Sequence, residues 1–317
     1  MNDVPPSAPR ARPHHLGYGS TALAAVLVLA APSLLLSEPA GGAPHAASAP
    51  VAAPAAPGAP ASSRSWVRRA GEPMTVIAHR GASSAAPENT LIADEVARRG
   101  GAVWIENDVQ PSKDGVPYVL HDSTVDRTTD GTGPIRSLTS AQLDALDAGS
   151  WFAPAFAGAR VPTLAAQLTD LRTRGGRLLL EIKGPHGRQE VDRIVREVRS
   201  LRMTDRVFVQ SFDPAALRYV RELAPELPLG LLRDTLDPDP VAVAGELGLA
   251  AYNVSDRGLS ARPLAVQELH AAGVAVNVWT VDRPARWKEL DALGVDGVIT
   301  NRPTELAGWL TGRAAGA

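Results

Sequence analysis

The sequence has no cysteine, few aromatic residues and almost no net charge. Its 317 residues include 32 Lys and Arg against 34 Asp and Glu, and aromatic residues make up 4%. Without cysteine the chain cannot form disulfides, thiolate zinc sites, a cysteine nucleophile or a lipid anchor on an N-terminal cysteine. A formal net charge of −2 does not indicate the basic face with which proteins bind a phosphate backbone, so no nucleic-acid partner is expected.

The N-terminus has the layout of a secretory leader. Arg10 and Arg12 precede an apolar run from Thr21 to Leu36, which is shorter than the ~20 residues that a membrane-spanning helix needs and is interrupted by Pro32. We therefore expect a cleaved signal peptide and a secreted, extracellular protein. An uncleaved anchor is the alternative, and a membrane is expected as a partner only in that case.

An Ala- and Pro-rich stretch follows the leader and continues to about Ser65. It contains almost no bulky apolar side chains that could be buried, which is typical of a semi-extended tether. We therefore assign residues 1–72 to a signal peptide and a disordered tether, and residues 73–312 to one folded domain.

From Met74 onward, short aliphatic runs alternate with amphipathic helical stretches, as in parallel strands joined by crossover helices. Helical spacing is clearest where Val191, Ile194, Val195 and Val198 recur in a charged background. Eight strand-like runs in about 230 residues favour an α/β fold of the closed (β/α)8 TIM-barrel type. An open α/β sheet is the alternative. The eight runs are MTVIAHR, AVWIENDV, GRLLLEIK, RVFVQSF, LPLGLL, LAAYNVS, VAVNVWT and DGVIT.

The interval from Gln110 to Val161 breaks this alternation. It is long, rich in Gly, Asp and Thr, and contains the hairpin-like segment SKDGVPYVL. We interpret it as an insertion after strand 2. In a barrel such an insertion emerges at the C-terminal face of the sheet, where barrel enzymes place their active sites.

Carboxylates gather at the carboxyl ends of the predicted strands. Glu106 and Asp108 are two residues apart, so both side chains point to one face of the strand, and Glu181 and Lys183 repeat the spacing in a later strand. Three carboxylates at one mouth repel one another unless a cation lies between them. Oxygen ligands suit Mg²⁺ or Ca²⁺ and suit zinc poorly. The alternative is that these residues form surface ion pairs.

Two histidines and two positively charged side chains are the other candidates for catalysis and substrate binding. His79 ends the first predicted strand, and His121 closes the hairpin in the insertion. A pair of histidines on opposite sides of a scissile bond can divide general base and general acid work, although a single histidine is more often structural. The guanidinium of Arg80 suits a phosphate oxygen, and Lys183 offers a second positive charge. Together these residues indicate phosphoryl chemistry.

In the order and spacing of its motifs, the chain resembles the bacterial glycerophosphodiester phosphodiesterase family from about Met74 to Leu310. The most specific part is the set H-R-G, P-E-N-T, E-x-D and H-D within about 45 residues. One departure is VPTLAAQL, where an acidic residue often follows the Leu. The matching segments are HRGASSAAPENT, ENDVQPSKDGVPYVLHD, LEIK, QSF, WTVD and GVDGVITNRP.

The resemblance implies a role for each matching residue. Glu106, Asp108 and Glu181 match the family's metal ligands, which hold one divalent cation, Ca²⁺ or Mg²⁺. His79 and His121 match its acid/base histidines.

The resemblance also implies a substrate-binding set. Arg80 and Lys183 match residues that hold the phosphate, and Trp279 looks like the aromatic wall on which the glycerol packs. A further set of polar side chains is expected to support the site by hydrogen bonding, namely Glu88, Gln210 and Asn301.

The implied activity is metal-dependent hydrolysis of glycerophosphodiesters. In similar enzymes a hydroxyl of the substrate's own glycerol attacks phosphorus, the alcohol leaves, and water opens the cyclic phosphate to glycerol 3-phosphate. Small diesters or exposed glycerol-phosphate polymers are the expected substrates. One alternative is a lysophospholipid-cleaving, phospholipase D-like enzyme on the same barrel, which the few aromatic residues disfavour. A non-catalytic secreted binding protein is a further alternative, which the complete motif set disfavours. A barrel glycosidase is another, disfavoured because it would give Arg80, Lys183 and the two histidines no role.

Overall fold

The computed structural model describes residues 65–315, and the side chains of residues 65–312. The predicted signal peptide and the tether up to residue 64 lie outside the described residues, so export of the chain stays a prediction. Between residues 65 and 315 no helix is both long and apolar enough to cross a membrane.

Eight parallel strands form a closed barrel, which confirms the predicted TIM-barrel fold. The first strand pairs in parallel with both the second and the last, so the sheet closes on itself. All eight predicted runs form strands of this barrel. The strands are β1 (Thr75–Ala78), β2 (Trp104–Pro111), β4 (Arg177–Ile182), β5 (Val207–Ser211), β6 (Leu229–Arg233), β7 (Ala251–Ser255), β8 (Ala275–Trp279) and β9 (Gly297–Thr300). A short ninth strand, β3 (Pro117–Val119), pairs antiparallel with β2.

Helices connect successive strands around the outside of the barrel. The stripe Val191, Ile194, Val195 and Val198 is buried as its spacing predicted, and each such side chain contributes about 1.5–3 kcal/mol by leaving water. The helices are α1 (Leu91–Arg99), α2 (Ser140–Ala145), α3 (Leu164–Arg174), α4 (Arg188–Ser200), α5 (Pro214–Leu223), α6 (Pro240–Leu247), α7 (Asp256–Ala261), α8 (Ala265–Ala271), α9 (Pro284–Leu293) and α10 (Pro303–Ala315).

Residue-level signals explain where the helices begin. Asp213 and Asp239 accept hydrogen bonds from backbone N–H groups in the first turns of α5 and α6, and Pro214 and Pro240 occupy the first helical positions. These choices satisfy N–H groups that lack a partner inside the helix. Helix α6 was not predicted, because its Ala- and Val-rich sequence has no clear polar face.

The insertion after β2 folds as a small subdomain at the C-terminal face of the barrel. Its β3 strand forms a hairpin with β2, and Tyr118, Ile135 and Leu143 are fully buried in a separate apolar cluster. The Tyr118 hydroxyl donates a hydrogen bond to Asp144 at 2.7 Å. The loop after β3 is therefore held on a packed base.

Apolar side chains fill the N-terminal end of the barrel interior. Ile77, Leu179 and Phe208 converge there, and Trp66 packs against them from below. The ring of Trp66 meets those of Trp104 and Phe208 edge-on, at centroid distances of 5.9 and 4.9 Å. This end of the barrel is therefore mainly apolar, with the buried carboxylate of Asp296 as an exception.

The segment 65–72, which composition places in the tether, lies against this end of the barrel. The backbone N–H of Arg68 donates to Asp296 at 2.7 Å, and its guanidinium pairs with Asp291 at 3.0 Å. The ring of Trp66 buries apolar surface against the barrel. The Ala/Pro-rich stretch before it has almost no bulky apolar side chains with which to do so. Contacts with the barrel thus begin several residues before the predicted boundary at residue 73.

We expect Trp66→Ala to lower the free energy of unfolding by about 2 kcal/mol, because a large ring leaves its contacts with Trp104 and Phe208. Urea denaturation followed by circular dichroism measures the change. Val103→Ala is a control, since Val103 is 58% exposed and its truncation should cost less than about 0.5 kcal/mol. Equal stability of Trp66→Ala and the natural protein would show that the segment 65–72 contributes nothing to the fold.

Candidate active site

Three carboxylates meet inside the C-terminal mouth of the barrel. Glu106 and Asp108 project from β2, and Glu181 projects from β4 opposite Asp108 in the strand register. All three are buried, and one oxygen of each lies within 4.8 Å of the others. Neighbouring parallel strands bring them together because alternate residues of a strand share a face.

Burial and mutual repulsion disfavour the ionised form of two of these groups. Both effects raise the pKa of Glu106 well above its usual range, with Asp108 and Glu181 as the repelling charges. Burial and Asp108 likewise raise the pKa of Glu181 to about 8. A divalent cation between the three carboxylates would remove this repulsion, and an all-oxygen donor set fits a hard ion such as Mg²⁺ or Ca²⁺. These residues could therefore hold a metal ion.

Asp108 is the point at which the carboxylates meet the two predicted cations. Its oxygens lie 3.3 Å from Arg80 Nε and 3.3 Å from Lys183 Nζ, and it accepts a hydrogen bond from Asn89 at 2.9 Å. Although burial opposes the charge, Lys183 and Arg80 lower the pKa of Asp108. Lys183 also pairs with Glu181 at 3.0 Å. Both cations are therefore held at the rim of the carboxylate cluster.

The loop after β1 directs polar groups towards the three carboxylates because Arg80 has an unusual backbone conformation. Arg80 has a φ of 55°, a left-handed conformation that a long side chain rarely adopts. In this conformation the backbone N–H of Arg80 donates to Glu106 at 3.0 Å, while its guanidinium donates to Glu88 at 2.8 Å. Gly81 follows with a φ of 79°, and a Cβ there would lie 2.6 Å from that of Ala93. Close packing on α1 thus requires glycine after Arg80.

A chain of hydrogen bonds orients His79. Its Nδ1 lies 2.7 Å from Asn301 Oδ1, and the Asn301 amide nitrogen donates to Asp282 at 2.6 Å. Because Asn301 Oδ1 can only accept, Nδ1 carries the proton and Nε2 keeps its lone pair. Burial and the adjacent Arg80 charge lower the pKa of His79 to about 4. The imidazole is therefore neutral at physiological pH.

His121 is oriented by a carboxylate. Its Nδ1 lies 2.7 Å from Asp122 Oδ1, and its loop is fixed by the buried Gln110 amide, which donates to the carbonyl of His121 at 3.0 Å. Asp122 is in turn held by Arg127, whose Nε donates to it at 2.6 Å. His121 thus has a charged carboxylate as its partner, whereas the partner of His79 is a neutral amide.

Arg127 joins the two loops that carry the histidines. Besides Asp122, it binds both oxygens of Glu88 at 2.8 Å. Glu88 also accepts from Arg80, so an unbroken set of ion pairs runs from the insertion to the β1 loop. Burial opposes ionisation of Glu88, but Arg127 and Arg80 together lower its pKa.

The aromatic side of the mouth is formed by Trp279 and Phe212. Their rings meet edge-on at a centroid distance of 5.5 Å, and Lys183 Nζ lies 5.8 Å from the Phe212 ring. The indole N–H of Trp279 donates to the carbonyl of Asn253 at 3.0 Å, which fixes the ring at the end of β8. Gln210, on β5, donates to Glu106 at 3.3 Å.

The structure brings all eleven residues predicted from sequence into one connected cluster. His121 and Trp279 reach it through intermediaries, namely Asp122 with Arg127, and Phe212. His79, with its partner Asn301, joins it through the peptide bond to Arg80. Four residues that hold these side chains in place were not predicted from the sequence. Three had a local signal because they stand inside or beside the quoted motifs, whereas Arg127 contacts a residue 39 positions away and had none. The three are Asn89, Asp122 and Asp282.

The mouth offers paired positive charges beside a candidate cation site, and two oriented histidines stand on the loops around it. This arrangement defines the class of the protein as a barrel hydrolase acting on phosphate esters. Residues 79–305 match the model of the glycerophosphoryl diester phosphodiesterase family, and the chain belongs to this family.

Individual relatives agree with this assignment. The chain is 37% identical over 235 residues to a glycerophosphodiester phosphodiesterase of Caldanaerobacter subterraneus subsp. tengcongensis, covering 73% of this chain and 95% of the relative. A phosphodiesterase of Oleispira antarctica, solved with the product sn-glycerol-3-phosphate, superposes with a TM-score of 0.72 at 30% identity, covering 75% of this chain and 96% of that one. A glycerophosphodiester phosphodiesterase of Agrobacterium tumefaciens gives 0.67 at 33% identity, covering 74% and 99%. The chain is thus a phosphoric diester hydrolase.

We expect His79 to remain neutral, with its proton on Nδ1, at pH 6. Its folded pKa of about 4 lies below the ~6.5 of an unfolded histidine, so the stability that the neutral ring contributes is complete above pH 6.5 and is lost as pH falls towards 4. NMR of ¹⁵N-labelled histidine reports the tautomer and the charge, with His79→Gln identifying the resonance. An imidazolium signal for His79 at pH 6 would contradict the assignment.

Proposed function

We propose that this protein hydrolyses glycerophosphodiesters in a metal-dependent reaction, releasing glycerol 3-phosphate and an alcohol. The observation that carries the proposal is the pair of oriented histidines on separate loops beside a buried trio of carboxylates. Each histidine has Nδ1 held by an oxygen, at 2.7 Å in both cases, so each presents Nε2 to a bound substrate.

The phosphate binds between Arg80 and Lys183. Both side chains are already positioned by carboxylates, Arg80 by Glu88 at 2.8 Å and Lys183 by Glu181 at 3.0 Å, so little side-chain entropy is lost when an anion arrives. The guanidinium can offer two parallel N–H groups to phosphate oxygens, and the ammonium adds a point charge. Glu106, Asp108 and Glu181 hold one divalent cation, Ca²⁺ or Mg²⁺, which draws charge from the phosphate oxygens when bound.

The attacking group is a free hydroxyl of the substrate's glycerol. Because it is tethered to the phosphate, its attack gains from proximity, by about 7–11 kcal/mol in the best intramolecular cases. Neutral His79 removes the hydroxyl proton, and His121, which Asp122 orients, protonates the leaving alcohol. In a second step water opens the cyclic phosphate as the two histidines exchange these duties.

Small diesters or exposed glycerol-phosphate polymers are the substrates that we favour. Within the described residues the large apolar side chains exposed by at least a third are Ile92, Val103, Trp151, Phe212 and Leu264. Of these, Phe212 belongs to the aromatic side of the mouth, and Trp151 belongs to the insertion at the same face of the barrel. Two exposed rings on separate elements are a small surface for an acyl chain, which argues against the lysophospholipid-cleaving alternative.

We expect the purified protein to release glycerol 3-phosphate from glycerophosphocholine with Ca²⁺ or Mg²⁺, and to stop when a chelator removes the ion. Enzymatic detection of glycerol 3-phosphate measures the rate. His79→Ala should lower kcat by at least about 100-fold, because general base catalysis contributes 10²–10⁴-fold.

Two outcomes would contradict parts of this proposal. Full activity of protein that metal analysis shows to be free of divalent ions would remove the metal from the reaction. Turnover of lysophosphatidylcholine in place of glycerophosphocholine, with a cyclic phosphate as product, would replace the proposed function with the lysophospholipid-cleaving alternative.

The assignment of His121 as general acid predicts a dependence on the leaving group. His121→Ala should lose at least about 100-fold in kcat on glycerophosphocholine, yet lose far less on the p-nitrophenyl ester of glycerol 3-phosphate, because nitrophenolate leaves without a proton. His79→Ala should be impaired on both substrates, since each requires the same attack.

Aspartate variants provide the matched control for this test. Asp122→Asn should also lose more activity on glycerophosphocholine than on the p-nitrophenyl ester, but by a smaller factor than His121→Ala. The reason is that it removes the carboxylate that holds the imidazole. Asp144→Asn removes a carboxylate bonded to Tyr118 elsewhere in the insertion and should leave the ratio of the two rates unchanged. Equal losses of His121→Ala on both substrates would exclude a general-acid role.

A further inference from the structure

Four polar side chains hydrogen-bond in series across the inside of the barrel. Asn277 on β8 donates to Asn253 at 2.9 Å, Asn253 on β7 donates to Gln210 at 2.8 Å, and Gln210 on β5 donates to Glu106 at 3.3 Å. Gln210 and Asn253 are fully buried, and the series ends on a carboxylate of the candidate metal site. We call Gln210, Asn253 and Asn277 the amide chain.

Every hydrogen bond in the amide chain runs towards Glu106. Gln210 presents its NH₂ group to Glu106 and its carbonyl oxygen to Asn253. Asn253 must then present its own NH₂ to Gln210 and its oxygen to Asn277. Each amide therefore prevents the previous one from turning over, and aligned amides polarise one another in the low-dielectric interior.

The neighbouring strands leave room for these side chains by carrying glycine. Gly230 on β6 lies between Gln210 and Asn253, and a Cβ there would lie 2.8 Å from the Asn253 amide nitrogen. Gly297 on β9 pairs with Asn277, and a Cβ there would lie 2.3 Å from its amide oxygen. In both places any other residue would displace a member of the amide chain.

We propose that Asn253 and Asn277 are positioning residues for the metal ligand Glu106, acting through Gln210. The inference rests on the proposed metal site. Arg80 holds one oxygen of Glu106 through its backbone N–H, and the amide chain holds the other, so the two together set the rotation of the carboxylate. Residues that orient a metal ligand from behind commonly contribute 10–100-fold to metal affinity.

The test is the affinity of metal-free protein for Mn²⁺, measured by calorimetry and by the electron paramagnetic resonance of free Mn²⁺. Asn253→Leu keeps the shape and adds no charge, but removes the donor that fixes Gln210. We expect the Kd for Mn²⁺ to rise about tenfold. Asn277→Leu, one link further away, should raise it by a smaller factor.

Gln167→Met is the matched control. Gln167 belongs to a second buried amide pair, donating to Asp94 at 2.8 Å and accepting from Asn107, but this pair lies outside the barrel between β2, α1 and α3. Its loss should reduce thermal stability as the other variants do and leave the Kd for Mn²⁺ unchanged.

A Kd within twofold of the natural protein in both Asn253→Leu and Asn277→Leu would overturn the inference, because the amide chain would then only support the fold. If Asn253→Leu does not fold, Asn277→Leu decides between the two outcomes. Unchanged binding in these variants leaves the proposed function standing. A natural protein that binds no Mn²⁺ would overturn both the metal site and this inference.

Discussion

Repulsion among three buried carboxylates is the constraint on which the rest of the site depends. Glu106, Asp108 and Glu181 lie too close together, and too far from water, to ionise freely. Two features of the fold offset this repulsion. Cations lie at the rim of the cluster, and Glu106 accepts hydrogen bonds from two neutral donors, a backbone N–H and a side-chain amide. A stable apolar core would not retain this cluster, because buried charge without compensation costs several kcal/mol. The cluster is therefore more consistent with the proposed binding of a cation and a phosphate than with a purely structural role.

The barrel accommodates the buried carboxylates because apolar and polar side chains occupy different levels along its axis. Trp66, Phe208 and other apolar side chains fill the N-terminal end, so burial there provides stability mainly through apolar contacts. The three carboxylates are buried further along the barrel, towards the C-terminal ends of the strands. Loops that carry His79 and His121 are tied to each other by the ion pairs of Arg127. These ion pairs hold the two loops together in the absence of a substrate.

Prediction from sequence succeeded where the signal was local. The stripe from Val191 to Val198 identified α4, and the alternation of aliphatic runs with helical stretches identified eight strands. Both signals are local, because the spacing of apolar residues along the chain indicates which side chains will be buried. Prediction was less successful where composition was ambiguous. Helix α6 lacks a polar face, and Trp66 follows an Ala/Pro-rich stretch yet packs on the barrel. Local patterns cannot report a contact that a residue makes with a distant part of the chain.

The sequence by itself determined the residue types at the mouth and the faces to which they point, since a two-residue spacing on a strand sends Glu106 and Asp108 inward. The tertiary structure alone decided which partner each side chain has. Asn253 and Asn277 stand in strands as ordinary buried polar residues, and closure of the sheet aligns them with Gln210 and Glu106. The physical reason is that hydrogen bonds depend on distance in space, about 3 Å, and not on distance along the chain. The Gln210–Glu106 bond joins residues 104 positions apart in the sequence.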